Sequence, residues 1–358
     1  MKKSCISIVA ATMLLCGCRG GDTFTVEGVV ADFQGTHAVL SWVGEDGDYI
    51  GLDTCEVTGG RISLAGRADG PRLGVVYDNG LSEVATFIIE PGRKHRLSGR
   101  FDGTGYRAGV QAGRENKLYT QYRNRINELL GIYDNGELSL EERIEALARA
   151  NRTPELFVEQ YGDRPAAVCE LYRKTLVENV SDPEQIRASL GRLSARMRDS
   201  YYGRLLEKRA AMFERTMSGA MFSDAELTDR QGAVRRLSEA VGTGVPAVLL
   251  FWTSEAESIS LDMVTVNQAF EQYGDRVRFV AVSLDSDPEK WAGGIERYDI
   301  AYLNLRSAEG WDGPVAELYN VKRVPVCYVF NPDGTIAQRT RAARIVEELA
   351  KMPSLAAE

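Results

Sequence analysis

The chain has 358 residues, enough for two or three domains, because one hydrophobic core rarely grows past about 250–300 residues. Charged residues make up 26% and hydrophobic residues 44% of it, the balance of a soluble globular protein. A net charge of −8, with no basic stripe carrying interleaved aromatics, argues against a nucleic-acid partner.

At the N-terminus Lys2 and Lys3 precede a short apolar run, residues 6–15, closed by Leu15-Cys16-Gly17-Cys18. The run is too short to span a bilayer, which needs about 20 residues. It resembles the signal peptide and lipobox of bacterial lipoproteins. The resemblance implies that Cys18, behind the small Gly17, takes the lipid and becomes the mature N-terminus, whereas Cys16 follows the bulkier Leu15. The competing reading is a plain signal peptide cut elsewhere. Each buried methylene contributes about 0.8 kcal/mol, so two or three acyl chains anchor stably where one does not. Arg19-Gly20-Gly21-Asp22 carries no dense acidic run of the kind that marks surface export in some lipoproteins. The expectation is a protein lipid-anchored in the cell envelope, facing the periplasm.

Residues 22–113 read as all-β. Residues 24–29 alternate apolar and polar, as do 38–43, 61–65 and 85–89. Glu45-Asp46-Gly47-Asp48, Thr58-Gly59-Gly60 and Asp78-Asn79-Gly80 supply turns between them, so about seven short strands and a small sandwich are expected. The stretch L-D-T-C-E-V-T-G-G-R-I-S-L-A-G-R-A-D-G-P is similar to the N-terminal domain of unknown function that precedes thioredoxin-like domains in bacterial lipoproteins. Cys55 lies in it and is read as structural.

Residues 114–217 read as helical. Leu118, Tyr122, Ile126 and Leu129 form one stripe, and Ile186, Leu190, Leu193 and Met197 another. Ser139 with Glu142 is a capping box. Thr153-Pro154 and Asp182-Pro183 each place a cap before a proline at a first helical position. The Arg and Glu residues between the stripes read as a solvated face, and the block as a spacer or docking platform. Cys169, at helical spacing with Tyr172 and Leu176, reads as core.

The C-terminal part turns on V-P-A-V-L-L-F-W-T-S-E-A-E-S-I, residues 245–259. Residues 246–252 read as a buried strand, then Ile259, Met263, Val266, Phe270 and Tyr273 as one helical stripe, then 277–284 as a second buried strand. Strand, helix and strand within about 40 residues is a βαβ unit, so the sheet is at least partly parallel. The stretch resembles the active-site segment of the TlpA/ResA group of membrane-associated thioredoxin-like thiol-disulfide oxidoreductases, F-W-A-x-W-C-x-x-C-R-x-E-x-P. Phe251, Trp252 and Ser254 match, Asp262 stands at the acidic position, and Val324-Pro325 matches the family's cis-proline. Residues 221–240 match its lead-in hairpin and short helix. The resemblance covers roughly residues 219–351 and implies a thioredoxin-like α/β fold behind a β-sandwich and a helical segment.

The two redox cysteines are replaced by Ala256 and Ile259. Dithiol exchange needs a thiolate at a helix N-terminus and a second thiol to resolve the mixed disulfide, and neither sulfur is present. Ser254 with Glu257 reads instead as a capping box, and Glu255 and Glu257 as negative charge near a helix dipole's positive end, about 0.3–1 kcal/mol each. Those charges would oppose a thiolate. Leu250 stands at a strand position that is ionisable or polar in many thioredoxins.

Of six cysteines, Cys5 and Cys16 leave with the signal segment and Cys18 takes the lipid; Cys55, Cys169 and Cys327 remain, with no C-x-x-C among them. Cys327, two residues past Pro325 and on the same strand face, reads either as a lone reactive thiol or, preferably, as a small buried hydrophobe. His37 and His95 lack ligand-spaced partners, so no metal is expected. Gly103-Thr104-Gly105 precedes no glycine-rich helix start and reads as no phosphate loop. Asp285 and Asp287, at a strand's carboxyl end, read as caps of the next helix. No cofactor is implied.

Three functions fit these residues. The preferred one is a non-catalytic lipoprotein that holds a protein or peptide partner of the envelope in a groove of Trp252, Thr253, Ser254, Glu255, Val324 and Pro325. The alternatives are a thiol-disulfide oxidoreductase or thiol peroxidase acting through Cys327, and small-ligand or glycan binding by the β domain.

Overall fold

Alternating apolar residues in the first hundred positions fold as eight strands in the computed structural model, which describes residues 21–355: β1 (Thr23–Ala31), β2 (His37–Val43), β3 (Tyr49–Glu56), β4 (Arg61–Arg67), β5 (Arg72–Asp78), β6 (Glu83–Ile89), β7 (Lys94–Phe101) and β8 (Tyr106–Gln111). They form two four-stranded sheets, ordered β4-β1-β7-β8 and β3-β2-β5-β6. Phe24, Val26, Leu40, Ile62, Val76, Phe87 and Leu97 fill the core. Gly60 has φ +75°, and a Cβ there would sit 2.2 Å from the Val30 carbonyl oxygen, so the turn into β4 requires glycine. Cys18 and the signal segment lie outside the described residues.

Six helices follow: α1 (Arg114–Asp134), α2 (Leu140–Tyr161), α3 (Pro165–Val177), α4 (Pro183–Gly191), α5 (Ala195–Arg198) and α6 (Tyr201–Thr216). The Ser139–Glu142 capping box opens α2, and Asp182 caps α4 before Pro183, both as expected. Pro154 departs from expectation. It starts no helix but lies buried inside α2, in line with Ala146, Ala150 and Val158 at steps of four. The Thr153 hydroxyl donates to the Arg149 carbonyl, 2.7 Å, instead of capping. On α1 the buried apolar residues are Tyr119, Tyr122 and Leu129, while Leu118 and Ile126 are only half-buried.

The helical stretch, expected as a spacer or platform, packs on the second sheet. The Tyr202 hydroxyl donates to the Val43 carbonyl, 2.8 Å, and accepts from the Leu73 amide, 3.0 Å. The Tyr172 hydroxyl donates to the Gly44 carbonyl, 2.8 Å. The Asn116 side-chain amide meets the backbone of Ile88 on edge strand β6, accepting at 3.0 Å and donating at 2.5 Å, and so pairs an edge that would otherwise be open. The chain divides into two compact units, Met1–Lys208 and Arg209–Glu358, the division falling inside α6.

In the second unit, the short strands β9 (Glu226–Thr228) and β10 (Val234–Arg236) precede β11 (Ala247–Trp252), α7 (Ile259–Tyr273), β12 (Arg278–Ser283), α8 (Pro288–Arg297), β13 (Leu303–Arg306), α9 (Pro314–Leu318), β14 (Val326–Phe330), β15 (Ile336–Arg341) and α10 (Ile345–Ala350). The sheet order is β10-β9-β13-β12-β11-β14-β15, with β11, β12 and β13 parallel and β14 and β15 antiparallel. Both faces are covered, which is why β11 reads as an unbroken apolar run. Leu250, Trp252, Cys327 and Val329 pack with Ile259, Met263 and Val266 of α7. Leu249, Phe251, Val280, Tyr319 and Tyr328 fill the opposite face. Val324-Pro325 is cis.

Candidate functional site

Strand register brings the motif residues to one end of the second unit's sheet. Trp252, the last residue of β11, lies beside Ser283 at the end of β12, and Ser283 beside Arg306 at the end of β13. Running the other way, Val326 at the start of β14 lies opposite both Phe251 and Arg341. The loops 253–258, 284–287, 307–313 and 321–325 therefore share that end, the carboxyl end of the parallel strands.

Asp285 organises this end. Its buried carboxylate accepts from the Ser254 amide (2.9 Å), the Ser254 hydroxyl (3.1 Å) and the Ser283 hydroxyl (2.9 Å). The Tyr298 hydroxyl donates to the Ser254 carbonyl, 3.1 Å. Ser254 is thus not the expected N-cap. Its donors are taken by a buried acceptor that would be costly to leave unsatisfied, and α7 begins five residues later, at Ile259. The Ser258 hydroxyl donates to Asp262, 2.5 Å, and makes no cap bond. Asp287 does cap α8, accepting from the Glu289 amide at 2.8 Å; Asp285 does not, a second correction to the sequence reading.

The expected groove is altered by burial. Trp252 is 0% exposed, packed edge-to-face on Tyr298 at 6.4 Å, so its ring offers no surface. Ser254 is buried as well. Glu255 is exposed and pairs with Lys290 at 2.8 Å, while Thr253, Val324 and Pro325 are half-buried. The sequence reading missed the large apolar side chains that are exposed on α7 and in the 307–313 loop: Leu261 at 79%, Val264 at 55% and Trp311 at 45%. Leu261 and Val264 fall off the Ile259–Met263–Val266 stripe, which is the signal that could have found them.

The positions that correspond to redox cysteines carry no sulfur: Ala256 is half-buried against the core and Ile259 is buried within it. Cys327 is the sole cysteine of the second unit and is fully buried, opposite Leu250 and Thr340. Burial pushes its thiol well above the usual range, and the Asp262 carboxylate pushes the same way. A thiolate is therefore disfavoured where a catalytic one would be needed.

Cys169 is buried in α3, and Cys55 is half-buried with its thiol raised by desolvation. His95 is buried with both ring nitrogens in use: Nε2 accepts from the Glu90 amide, 3.1 Å, and Nδ1 donates to the Thr25 carbonyl, 3.1 Å. Among the described residues no group of three His, Cys, Asp or Glu side chains could hold a metal ion. At Gly103-Thr104-Gly105 the amides of Thr104 and Gly105 donate to Asp102, 3.0 Å each, and so face inward rather than toward a phosphate.

Residues 244–336 match a family model described as thioredoxin-like. The thiol-disulfide oxidoreductase ResA of Oceanobacillus iheyensis is 27% identical over 115 residues, which cover 32% of this chain and 57% of that protein. The chain thus matches little more than half the length of that curated relative. Among solved structures, a thiol:disulfide interchange protein from a Bacteroides species aligns at 18% identity over 40% of this chain and 94% of its own, TM-score 0.36. A thiol-disulfide oxidoreductase from Bacteroides fragilis aligns at 19% over 38% and 98%, TM-score 0.34. The C-terminal region is a thioredoxin-like domain, and the expected order of β sheets, helical segment and thioredoxin-like α/β domain holds.

Proposed function

We propose that this thioredoxin-like domain is redox-inactive and serves as a protein- or peptide-binding module on a lipoprotein, anchored through Cys18 and facing the periplasm. One observation carries the reading: both redox positions lack sulfur, and the only thiol on the same unit is buried with its pKa raised. Half-buried Val324 and Pro325 still border solvent at the sheet end. No helix among the described residues is long and apolar enough to cross a membrane.

The relatives' names keep thiol-disulfide exchange as the competing activity, and insulin-disulfide reduction separates the two. The full-length protein in detergent should give no rate above the dithiothreitol blank, and Cys327→Ser should behave identically. A rate that vanishes in Cys327→Ser would overturn the proposal and make Cys327 the nucleophile. Anchoring is read from fractionation: Cys18→Ser should move the protein from the membrane to the soluble fraction.

A further inference from the structure

Alternation along the sheet β4-β1-β7-β8 sends one set of side chains into the sandwich core and the other outward. The outward set includes Arg61, Arg67, Lys94, Arg96, Arg100 and Arg107, all exposed. Strand β1 runs between β4 and β7, with Arg67 beside Thr23 at its start, Arg61 beside Val29, and Arg100 beside Ala31 at its end. The cations therefore flank β1 along its whole length. The side chains of Arg61, Arg67, Lys94, Arg96 and Arg100 have no hydrogen-bond or ion-pair partner among the described residues, whereas Arg107 pairs with Asp102 at 2.8 Å.

The carboxylates nearby do not cancel this charge. On the outward set itself only Glu27 is acidic, lying between Ser63 and Arg96 in register. At the rim Asp69 is taken by Arg72, 2.6 Å, while the exposed Asp22, Asp32 and Glu56 stand against exposed Arg93 as well as the unpaired cations. On a chain of net charge −8 the face thus carries a local field of the opposite sign. Its other outward side chains, on Thr, Ser, Ala, Val and Gln, include no aromatic on which a base could stack, so a nucleic acid fits it poorly.

The chain's own covalent path says what lies within reach. Cys18 precedes Thr23 by five residues, a span of at most about 18 Å. The path enters the sheet at one end of the basic face: Thr23 lies beside Arg67, its carbonyl accepts from the Gly92 amide at 2.9 Å, and the Thr25 amide donates to the Arg93 carbonyl at 3.2 Å. A lipid on Cys18 would hold Arg67, Arg93 and Lys94 close to the bilayer surface. Arginine's planar fork binds phosphate oxygens in bidentate fashion, and an acyl anchor joined to a basic patch is a two-signal membrane attachment. We infer that the outward face of β4-β1-β7-β8 docks on the anionic phosphate headgroups of the bilayer that holds the anchor, laying this sheet against the membrane. This rests on the reading of Cys18 as the lipid anchor.

Ser98 is exposed between Arg96 and Arg100 on β7, so Ser98→Cys in the full-length protein places a nitrobenzoxadiazole dye at the centre of the face. The unsubstituted protein, treated alike, gives the background from half-buried Cys55. Labelled protein is reconstituted into vesicles of phosphatidylcholine, with or without phosphatidylglycerol, each carrying a nitroxide-headgroup lipid. Flotation with the neutral vesicles reports the anchor, and quenching of the dye reports the docked face. Quenching should be about twofold or more stronger with phosphatidylglycerol, and the excess should vanish at high salt. Arg96→Glu with Arg100→Glu should abolish the excess, and the milder Arg96→Gln with Arg100→Gln should reduce it. An equal charge change on the other unit, Arg323→Glu with Arg341→Glu, should leave it, since both of those arginines are exposed far along the chain. Equal quenching in the two vesicle types, an excess that outlasts the β7 changes, or an equal loss in the Arg323 and Arg341 variant would overturn the docking and leave the anchor standing. Failure to float with neutral vesicles would overturn the anchor and the docking that rests on it.

Discussion

At Gly294 on α8 a Cβ would lie 2.9 Å from the Trp252 ring and 3.0 Å from the Ser254 Cβ, whereas at Gly293 nothing lies within 4 Å. Two adjacent helical glycines should therefore answer the same substitution with opposite signs. Gly293→Ala removes a glycine from an exposed helix position and should raise stability by about 0.5–1 kcal/mol. Gly294→Ala gains as much in propensity but overpacks a core site, at a cost of about 1–3 kcal/mol, so the net should be a loss. Thermal melts of the two variants beside the parent decide it, and a stabilised Gly294→Ala would mean that Trp252 yields easily. The same neighbourhood marks the limit of local sequence reading. Ser254 with Glu257 satisfies a capping-box pattern, yet Ser254's partner is Asp285, 31 residues away, and no short window contains it.

Between elements, His95 ties three pieces together. It sits on β7, donates to Thr25 on β1, accepts from the Glu90 amide beyond β6, and packs edge-on against Phe24 at 5.5 Å. Desolvation lowers its pKa below the ordinary 6.5, outweighing the opposite pull of Glu90, so the folded protein holds His95 neutral. The unfolded chain takes up a proton near pH 6.5 that the folded one refuses. This group's contribution is thus fully present above about pH 6.5 and declines as pH falls toward the folded pKa, by at most about 1.4 kcal/mol per pH unit. Denaturant midpoints at pH 7.5 and 5.5 should differ more in the parent than in His95→Gln, whose amide carries no proton equilibrium; equal differences would mean that His95 titrates freely.

Elements of this kind were legible wherever one period dominated, as in β11, whose six residues are all buried, and in the Ile259–Met263–Val266 stripe. Pro154 was misread because a cap-proline pair is a strong local start signal. Four residues at steps of four, Ala146, Ala150, Pro154 and Val158, packed one helix straight through it.

On the scale of the whole chain, the β sheets and the thioredoxin-like domain have separate cores, Phe24, Leu40 and Phe87 in one and Leu250, Val266 and Cys327 in another. The division between the two compact units falls inside the sixteen-residue α6, so truncation there would cut a helix and confuse lost contacts with lost capping. The intact chain is the better object. If each core holds its own cooperative unit, calorimetry should resolve two transitions, since two-state behaviour belongs to single domains and not to chains with several. The variants already described then assign them. Gly294→Ala should lower only the transition of the unit that contains Trp252. Lowering the pH from 7.5 to 5.5 should shift the other transition less in His95→Gln than in the parent. A single transition moved by both changes would mean that the units unfold together, and each substitution would then report on the stability of the entire chain.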